Sequence, residues 1–201
     1  MTDIARRTLI GAAGLVIASP GLALAAAKPR VAIQTSAGTI IVELEDKKAP
    51  ITSANFLRYV DGKKYDGGTF YRASRTKGVK GAGSIQGAPP ARGRRFAPIA
   101  HESTAKTGLR HKPGTISLAR NAPGTATADF FICASAMPYL DAHPGAKGDN
   151  QGFAAFGTVV EGLPIVKKIL AMPTGGPAYT EAMKDEMLKA PIQIIGMKRV
   201  G

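Results

Sequence analysis

Residues 30–44 read RVAIQTSAGTIIVEL, and their pattern indicates the class of fold. Two runs rich in β-branched residues lie on either side of the short segment Ser36-Ala37-Gly38. Such runs, joined by a short turn that contains glycine, are typical of a β-hairpin. The folded part of the chain is therefore predicted to begin with two antiparallel strands.

The pattern of short strands continues along the chain and is interrupted by two helices. One helix is predicted from Pro50 to Gly62 and another over Leu163–Leu170, because apolar residues recur there at helical spacing. The segment 173–190 is interpreted as a surface connection with a helical turn near residues 181–188. The predicted strands are 30–35, 39–44, 69–73, a stretch around Ile85, 115–119, 130–134, 154–159 and 192–197. About eight short strands and two helices, in a sequence with 24 Gly and 14 Pro, predict a mainly β fold, a closed antiparallel β-barrel.

The composition excludes several classes of protein. With 201 residues, 44% of them hydrophobic and 20% charged, the chain can bury a core, and general disorder is excluded. The single cysteine, Cys133, excludes an intramolecular disulfide, and its apolar neighbours predict a buried, unreactive thiol. Three scattered histidines have no metal-binding spacing, so we expect neither a metal nor another cofactor.

The charge is strongly basic and locally concentrated. The formal net charge is +13, and no acidic residue lies between Asp66 and Glu102, where the chain carries Arg72, Arg75, Lys77, Lys80, Arg92, Arg94 and Arg95. A basic face of this kind attracts phosphates, anionic membranes or acidic proteins. No nucleic-acid-binding motif accompanies it, so we interpret it as a solvated face and expect no nucleic-acid partner.

The first 27 residues belong to a different physical class. Arg6 and Arg7 precede an apolar run from Leu9 that ends in a series of alanines. A positive start, an apolar run and small residues at the exit are typical of a secretory signal peptide. We therefore predict a signal peptide over residues 1–27, cleaved after Ala25 or Ala27, and one folded domain over residues 28–201.

This assignment carries a prediction of location. A transmembrane anchor is the alternative, but the strongly apolar part is short of the ~20 residues that span a bilayer. We expect export to the periplasm with no stable membrane anchor after cleavage. The paired arginines also resemble a twin-arginine signal, which leaves the general secretory and twin-arginine routes both open.

A series of motifs along the folded part carries a family resemblance. They are Phe70-Tyr71-Arg72, Gly83-Ser84-Ile85-Gln86-Gly87, residues 113–120, Asp129-Phe130-Phe131-Ile132, Leu140-Asp141 and Phe153-Ala154-Ala155-Phe156-Gly157. In this order and spacing they resemble the cyclophilins, the peptidyl-prolyl cis-trans isomerases, over roughly residues 30–199. The resemblance is strongest to the exported bacterial branch. It implies a closed eight-stranded antiparallel β-barrel capped by two α-helices, with a substrate groove on the outside of the barrel.

The implied reaction suits a chain without an evident nucleophile or cofactor. Rotation about an X-Pro bond is slow because the amide has partial double-bond character, and the enzyme has only to bind the twisted amide better than the planar one. The resemblance places Arg72 as the catalytic residue, since a guanidinium can donate to the prolyl nitrogen, and Gln86 as the residue that orients it. Neither role requires a metal.

The resemblance also supplies the substrate-binding set, which is Phe70, Ile85, Ala119, Arg120, Asp129, Phe131, Leu140 and Phe153. Phe130 and Phe131 are neighbours in one strand, so one should point into the core and the other into the groove. The family register puts Phe131 in the groove. The expected partners are proline-containing unfolded or partly folded polypeptides, and we expect a monomer.

Two functions remain open from the sequence. The first is an isomerase that accelerates X-Pro isomerisation in exported proteins during folding. The second is a non-catalytic peptide-binding or chaperone module that uses the same groove. The presence of Arg72, Gln86 and Phe131 together favours the enzyme.

Overall fold

A computed structural model describes residues 27–201. The predicted signal peptide, apart from its last position, lies outside the described residues, and its cleavage stays a prediction. Among the described residues, no helix is long and apolar enough to cross a membrane.

Eight antiparallel strands close into one barrel, as predicted. Their order around the barrel is β1-β2-β7-β5-β6-β4-β3-β8, and β8 returns to pair with β1. The bounds are β1 Arg30–Thr35, β2 Gly38–Leu44, β3 Thr69–Arg75, β4 Gly83–Ala88, β5 Thr115–Leu118, β6 Phe130–Cys133, β7 Ala154–Glu161 and β8 Met187–Val200. The predicted hairpin of residues 30–44 is present, with Thr35 paired to Gly38 across the turn.

Both predicted helices are present, and the described chain holds a third one. Helix α1 is Pro50–Asp61, α2 is Thr104–Thr107 and α3 is Leu163–Leu170. The prediction of two helices misses α2 because its single turn of four residues is too short to show an apolar period. The apolar faces of α1 and α3 both join the core of the barrel.

The chain between α3 and β8 differs from the prediction. The helical turn is confined to a 3-10 turn at Glu181–Met183, and β8 begins at Met187 rather than at residue 192. Met187 and Leu188 are buried, so the end of the predicted surface connection is part of the barrel wall. The sequence signal was weak there because charged residues and Pro191 interrupt the apolar alternation.

The interior of the barrel is filled by aromatic rings. Phe56 of α1 packs against Tyr65, Phe130 and Phe156, with ring centroids 5.2–5.7 Å apart. Phe70 packs edge-on against Phe130 in the same cluster. Because these rings occupy the interior, a peptide has to bind on the outside of the barrel.

Candidate active site

A β-bulge in β3 turns Arg72 toward the outside of the barrel. Phe70 pairs with Gly87 of β4, whereas Arg72 pairs with Gln86, so two residues of β3 oppose one residue of β4. A bulge of this kind breaks the alternation of side chains along a strand. Phe70 and Ala73 are therefore buried in the core, while Tyr71 and Arg72 both lie on the groove.

The Arg72 guanidinium is held by hydrogen bonds on two sides. Its Nη1 donates to Oε1 of Gln86 at 2.8 Å. Its Nε donates to Oε2 of Glu186 at 2.7 Å, and Nη2 lies 2.5 Å from the same oxygen. The arginine is therefore fixed at the edge of the groove.

The Gln86 amide has a single orientation because both of its ends are bonded. Nε2 of Gln86 donates to the Tyr71 hydroxyl at 2.6 Å, and that hydroxyl donates to Oδ2 of Asp129 at 3.1 Å. Asp129 is also paired with Arg95. Burial, together with the nearby Asp129 carboxylate, raises the pKa of Tyr71, so its hydroxyl keeps the proton that this chain of bonds needs.

An apolar pocket lies in the same groove. Phe131, on the outer face of β6, forms a cluster with Cys133 and Met137, against which Ala119, Leu140 and Phe153 pack. The Phe153 ring stands edge-on to the Phe131 ring at 5.4 Å. The groove has a volume of about 830 Å³. It is lined by Arg72 and Gln86 as well as by Phe131, Met137, Ala119, Leu140 and Phe153.

A buried polar triplet supports the floor of this pocket. The His111 ring stacks on Phe131, with centroids 5.8 Å apart and planes inclined by 15°. Because the carboxylate of Asp141 can only accept, Nδ1 of His111 donates to it at 2.7 Å, and Nε2 accepts from the Ser117 hydroxyl at 3.0 Å. Burial lowers the pKa of His111, although the Asp141 carboxylate acts in the opposite direction. Because its pKa is lowered, the ring is neutral at pH 7.

The site offers fixed hydrogen-bond donors and an apolar pocket, and little chemistry beyond these. Ser117 and His111 are buried, so they are closed to a peptide in the groove. Burial raises the pKa of the Cys133 thiol to about 12, in keeping with the predicted unreactive cysteine. Within residues 27–201, no three His, Cys, Asp or Glu side chains lie close enough together to hold a metal ion.

Comparison with known proteins agrees with this geometry. A family model described as "Cyclophilin type peptidyl-prolyl cis-trans isomerase/CLD" matches residues 30–199. The chain belongs to this family. Like other cyclophilins it is therefore a peptidyl-prolyl cis-trans isomerase that binds proline-containing peptides.

Individual cyclophilins are similar to this one over most of its length. A peptidyl-prolyl cis-trans isomerase of Acinetobacter baylyi is 33% identical over 197 residues, which cover 96% of this chain and 95% of the relative. Peptidyl-prolyl cis-trans isomerase B of Escherichia coli is 34% identical over 146 residues, 72% of this chain and 86% of the relative. A solved cyclophilin of Cryptosporidium parvum has the same fold, with a TM-score of 0.64 at 21% identity, over 87% of this chain and 98% of its own.

Most of the residues predicted for the site of this cyclophilin lie together in the groove. Arg72, Gln86, Ala119, Arg120, Asp129, Phe131, Leu140 and Phe153 all line it. Phe130 points into the core and Phe131 outward. Alternation along β6 predicted opposite faces for the two rings, and the family register assigned Phe131 to the groove. Ala119 and Arg120 lie just beyond the end of β5 at Leu118 rather than within the strand.

The structure does not bring Phe70 and Ile85, both predicted to bind substrate, to the groove. Both side chains are fully buried inside the barrel and belong to the central core. Phe70 shares a strand face with Arg72 only if β3 is regular, and the bulge removes that relation. Ile85 alternates with Gln86 along β4, so the strand that carries Gln86 into the groove turns Ile85 inward.

Arg120 lies in the groove for a reason that the sequence did not indicate. Its guanidinium is bonded to the Asp149 carboxylate and to the carbonyl of Gly152, and it lies 5.0 Å from the centre of the Phe153 ring. Its side chain therefore supports one wall of the apolar pocket.

Three further residues that line the groove escaped prediction, namely Tyr71, Tyr179 and Met183. Glu186, which binds Arg72 from outside the groove, escaped it as well. Tyr179 and Met183 line the groove from the connection between α3 and β8, and the Tyr179 ring stands edge-on to Tyr71 at 5.8 Å. That connection was interpreted as a surface segment with a helical turn near residues 181–188. A run of Gly and Pro followed by mixed charges carries no signal for a contact with Tyr71, which lies 108 positions before Tyr179 in the chain.

The basic stretch of residues 72–95 is divided in the fold. Arg72 and Arg95 are paired with Glu186 and Asp129, and Arg75 donates to the carbonyls of Leu170 and Met172 at the end of α3. The other four basic residues, Lys77, Lys80, Arg92 and Arg94, are exposed in loops. The stretch is thus partly a set of structural contacts and partly a solvated surface.

Proposed function

We propose that the outer groove is the site of prolyl isomerisation in this cyclophilin, with Arg72 as the catalytic residue. The observation that carries the proposal is the 2.8 Å hydrogen bond between Arg72 and Gln86 at the edge of the Phe131 pocket. When a proline ring lies against Phe131, we expect its amide nitrogen to face the side of the groove that carries the Arg72 guanidinium. Gln86 fixes the guanidinium, and the Tyr71 hydroxyl fixes Gln86.

The donors act where charge changes during the reaction. The planar amide delocalises the nitrogen lone pair, whereas in the twisted amide that pair becomes a hydrogen-bond acceptor. An arginine N–H aimed at the nitrogen therefore binds the twisted state in preference to the planar one. A 10⁴–10⁶-fold acceleration corresponds to roughly 5–8 kcal/mol of such preference, to which charge-assisted hydrogen bonds contribute about 1.5–3 kcal/mol each.

The pocket supports a small cyclic side chain as the anchor. Its walls are two aromatic rings, Phe131 and Phe153, together with Leu140 and Met137. The Cryptosporidium parvum cyclophilin, whose fold this chain shares, has been solved in the presence of the dipeptide Ala-Pro. We take an X-Pro segment of an unfolded or partly folded polypeptide as the substrate, bound by a monomer.

The proposal is tested by mapping the binding site in solution. A peptide that contains Ala-Pro is added to ¹⁵N-labelled protein, and backbone amide shifts are followed by NMR. We expect the largest shifts at Gln86, Ala119 and Phe131, with exchange between the cis and trans signals of the peptide. Ser36 and Ala37, in the β1–β2 turn outside the groove, serve as the internal control. Shifts centred elsewhere would refute the assignment of the groove.

We also propose that the clients are exported proteins and that the enzyme works in the periplasm. The support is the composition of residues 1–27, a positive start followed by an apolar run and small residues. In a Gram-negative host that expresses the full chain, the periplasmic fraction should contain protein that begins at Ala26 or Lys28 by intact mass. A full-length mass in the membrane fraction would indicate an uncleaved anchor instead. Loss of export on changing Arg6 and Arg7 to Lys would assign the twin-arginine route.

A further inference from the structure

A carboxylate from a distant part of the chain holds the Arg72 guanidinium. Glu186 precedes β8 and lies 114 positions after Arg72 in the sequence. Its Oε2 accepts from both Nε and Nη2 of the arginine. The two side chains are only 22% and 27% exposed, whereas the Arg30–Glu43 and Arg199–Asp61 pairs have arginines about half exposed.

Glu186 is itself fixed by the strand that carries the arginine. Its second oxygen, Oε1, accepts from the Ser74 hydroxyl at 2.9 Å, and its backbone carbonyl accepts from the amide of Ala73 at 2.8 Å. Asp185, immediately before it, has a left-handed backbone with φ of 66°. Asp is one of the few residues other than glycine that adopts this conformation at moderate cost. The turn it makes directs the Glu186 side chain back onto β3.

Some N–H donors of the Arg72 guanidinium are used by neighbouring side chains, and the others remain available to a substrate. Arginine has five N–H bonds in a planar fork. Glu186 accepts from Nε and from one N–H of Nη2, and Gln86 accepts from one N–H of Nη1. One N–H on each terminal nitrogen remains for the groove. With its plane held from two sides, the guanidinium can turn little when it meets the substrate.

We propose that Glu186 is a positioning residue for isomerisation, which sets the plane of the Arg72 guanidinium. The inference rests on the proposed function, because it assumes that Arg72 is the group that acts on the substrate. An arginine that is not held in place has to be ordered in the transition state, and that ordering lowers kcat. The effect belongs to kcat rather than to KM, since Glu186 does not line the groove in which the peptide is bound.

The test compares Glu186→Ala and Glu186→Gln with a control from the same segment. Glu181 is 87% exposed and pairs only with Lys184 on its own turn, so Glu181→Ala removes a carboxylate without touching Arg72. A glutamine oxygen at position 186 can accept from the arginine as the carboxylate does, and its amide can face Ser74. We expect Glu186→Ala to lower kcat about tenfold with KM within about twofold of the wild type. Glu186→Gln should keep most of kcat, and Glu181→Ala all of it.

A second comparison separates positioning from a purely structural role. In an Arg72→Lys background the guanidinium is absent, so Glu186→Ala should cause little further loss of kcat. An equal loss in both backgrounds would overturn the inference, as would wild-type kcat in folded Glu186→Ala.

The Arg72 Nε–H signal in ¹⁵N NMR gives a readout that does not depend on activity. It should be protected from exchange with water in the wild type and unprotected in Glu186→Ala. If the wild type shows this protection but has no isomerase activity, the proposed function fails while the contact stands. If activity is normal and Nε is unprotected in the wild type, the positioning role fails alone.

Discussion

Replacing Phe131 by leucine tests the contribution of the pocket to activity separately from that of the core, because the neighbouring Phe130 provides a matched control. The two phenylalanines are adjacent in β6, but Phe131 faces the groove and Phe130 faces the barrel interior. The change to leucine keeps an apolar side chain at either site but removes the flat face of the aromatic ring. Only Phe131→Leu is expected to change how a proline ring is bound.

The size of the effect follows from the contact that is lost. A phenyl face against a proline ring buries on the order of 50 Å² more apolar surface than leucine does, and at about 25 cal/mol per Å² this is about 1.2 kcal/mol. The corresponding fall in kcat/KM is about eightfold. The loss should lie mainly in KM, since the proline ring is held in the planar and the twisted states alike.

Both variants are also expected to be less stable. The Phe131 ring is 6% exposed and packs against Phe153 and His111, while Phe130 is fully buried among aromatic rings. A change from Phe to Leu at such sites costs about 1–2 kcal/mol, which lowers Tm by roughly 2–8 °C in a domain of this size. Activity is therefore compared per folded molecule, at a temperature well below both transitions.

The assay couples isomerisation of succinyl-Ala-Ala-Pro-Phe-p-nitroanilide to cleavage by chymotrypsin, which cuts only the trans form. We expect about an eightfold loss for Phe131→Leu and a value within about twofold of the wild type for Phe130→Leu. Equal losses in the two variants would mean that the effect comes from the fold and would refute the placement of proline against Phe131.

Further predictions concern the groups around the pocket. Tyr71→Phe removes the hydroxyl that joins Gln86 to Asp129, so kcat in the coupled assay should fall about three- to tenfold, and an unchanged kcat would argue against this chain of bonds. Because burial lowers the pKa of His111 below its ordinary value of 6.5, the unfolded chain takes up this proton at a higher pH than the folded one. The free energy of unfolding should therefore decrease as the pH falls below 6.5, by up to about 1.4 kcal/mol per pH unit from this group. His111→Asn should flatten that slope in urea titrations between about pH 5 and 7, and parallel slopes for the two proteins would contradict the assignment.

Regular elements of this fold were predictable from the sequence, and irregular ones were not. Strand β6 is uninterrupted, so simple alternation separated Phe130 from Phe131 correctly. In β3 the same reasoning fails, because the bulge at Tyr71 reverses the face of every later residue in the strand. A single extra residue leaves no mark on composition or periodicity.

Contacts between distant parts of the chain were also difficult to predict from the sequence. The motifs placed Arg72, Gln86 and Phe131 in one groove through resemblance to a family whose barrel brings them together. Glu186 stands outside those motifs, and its contact with Arg72 depends on the left-handed backbone at Asp185 and on the start of β8 at Met187. Neither feature follows from local sequence preference.

The value of kcat/KM for Arg72→Ala shows whether Arg72 acts on the prolyl amide in the outer groove. Arg75→Ala is the control, because Arg75 lies in the same strand but does not line the groove. Its guanidinium donates instead to a carbonyl at the end of α3. Arg72→Lys is measured alongside, since a compact ammonium cannot reproduce the planar fork. We predict that Arg72→Ala loses at least about 100-fold in kcat/KM while folded, that Arg72→Lys recovers only a fraction, and that Arg75→Ala keeps its activity. Turnover close to the wild-type value in folded Arg72→Ala would contradict this prediction.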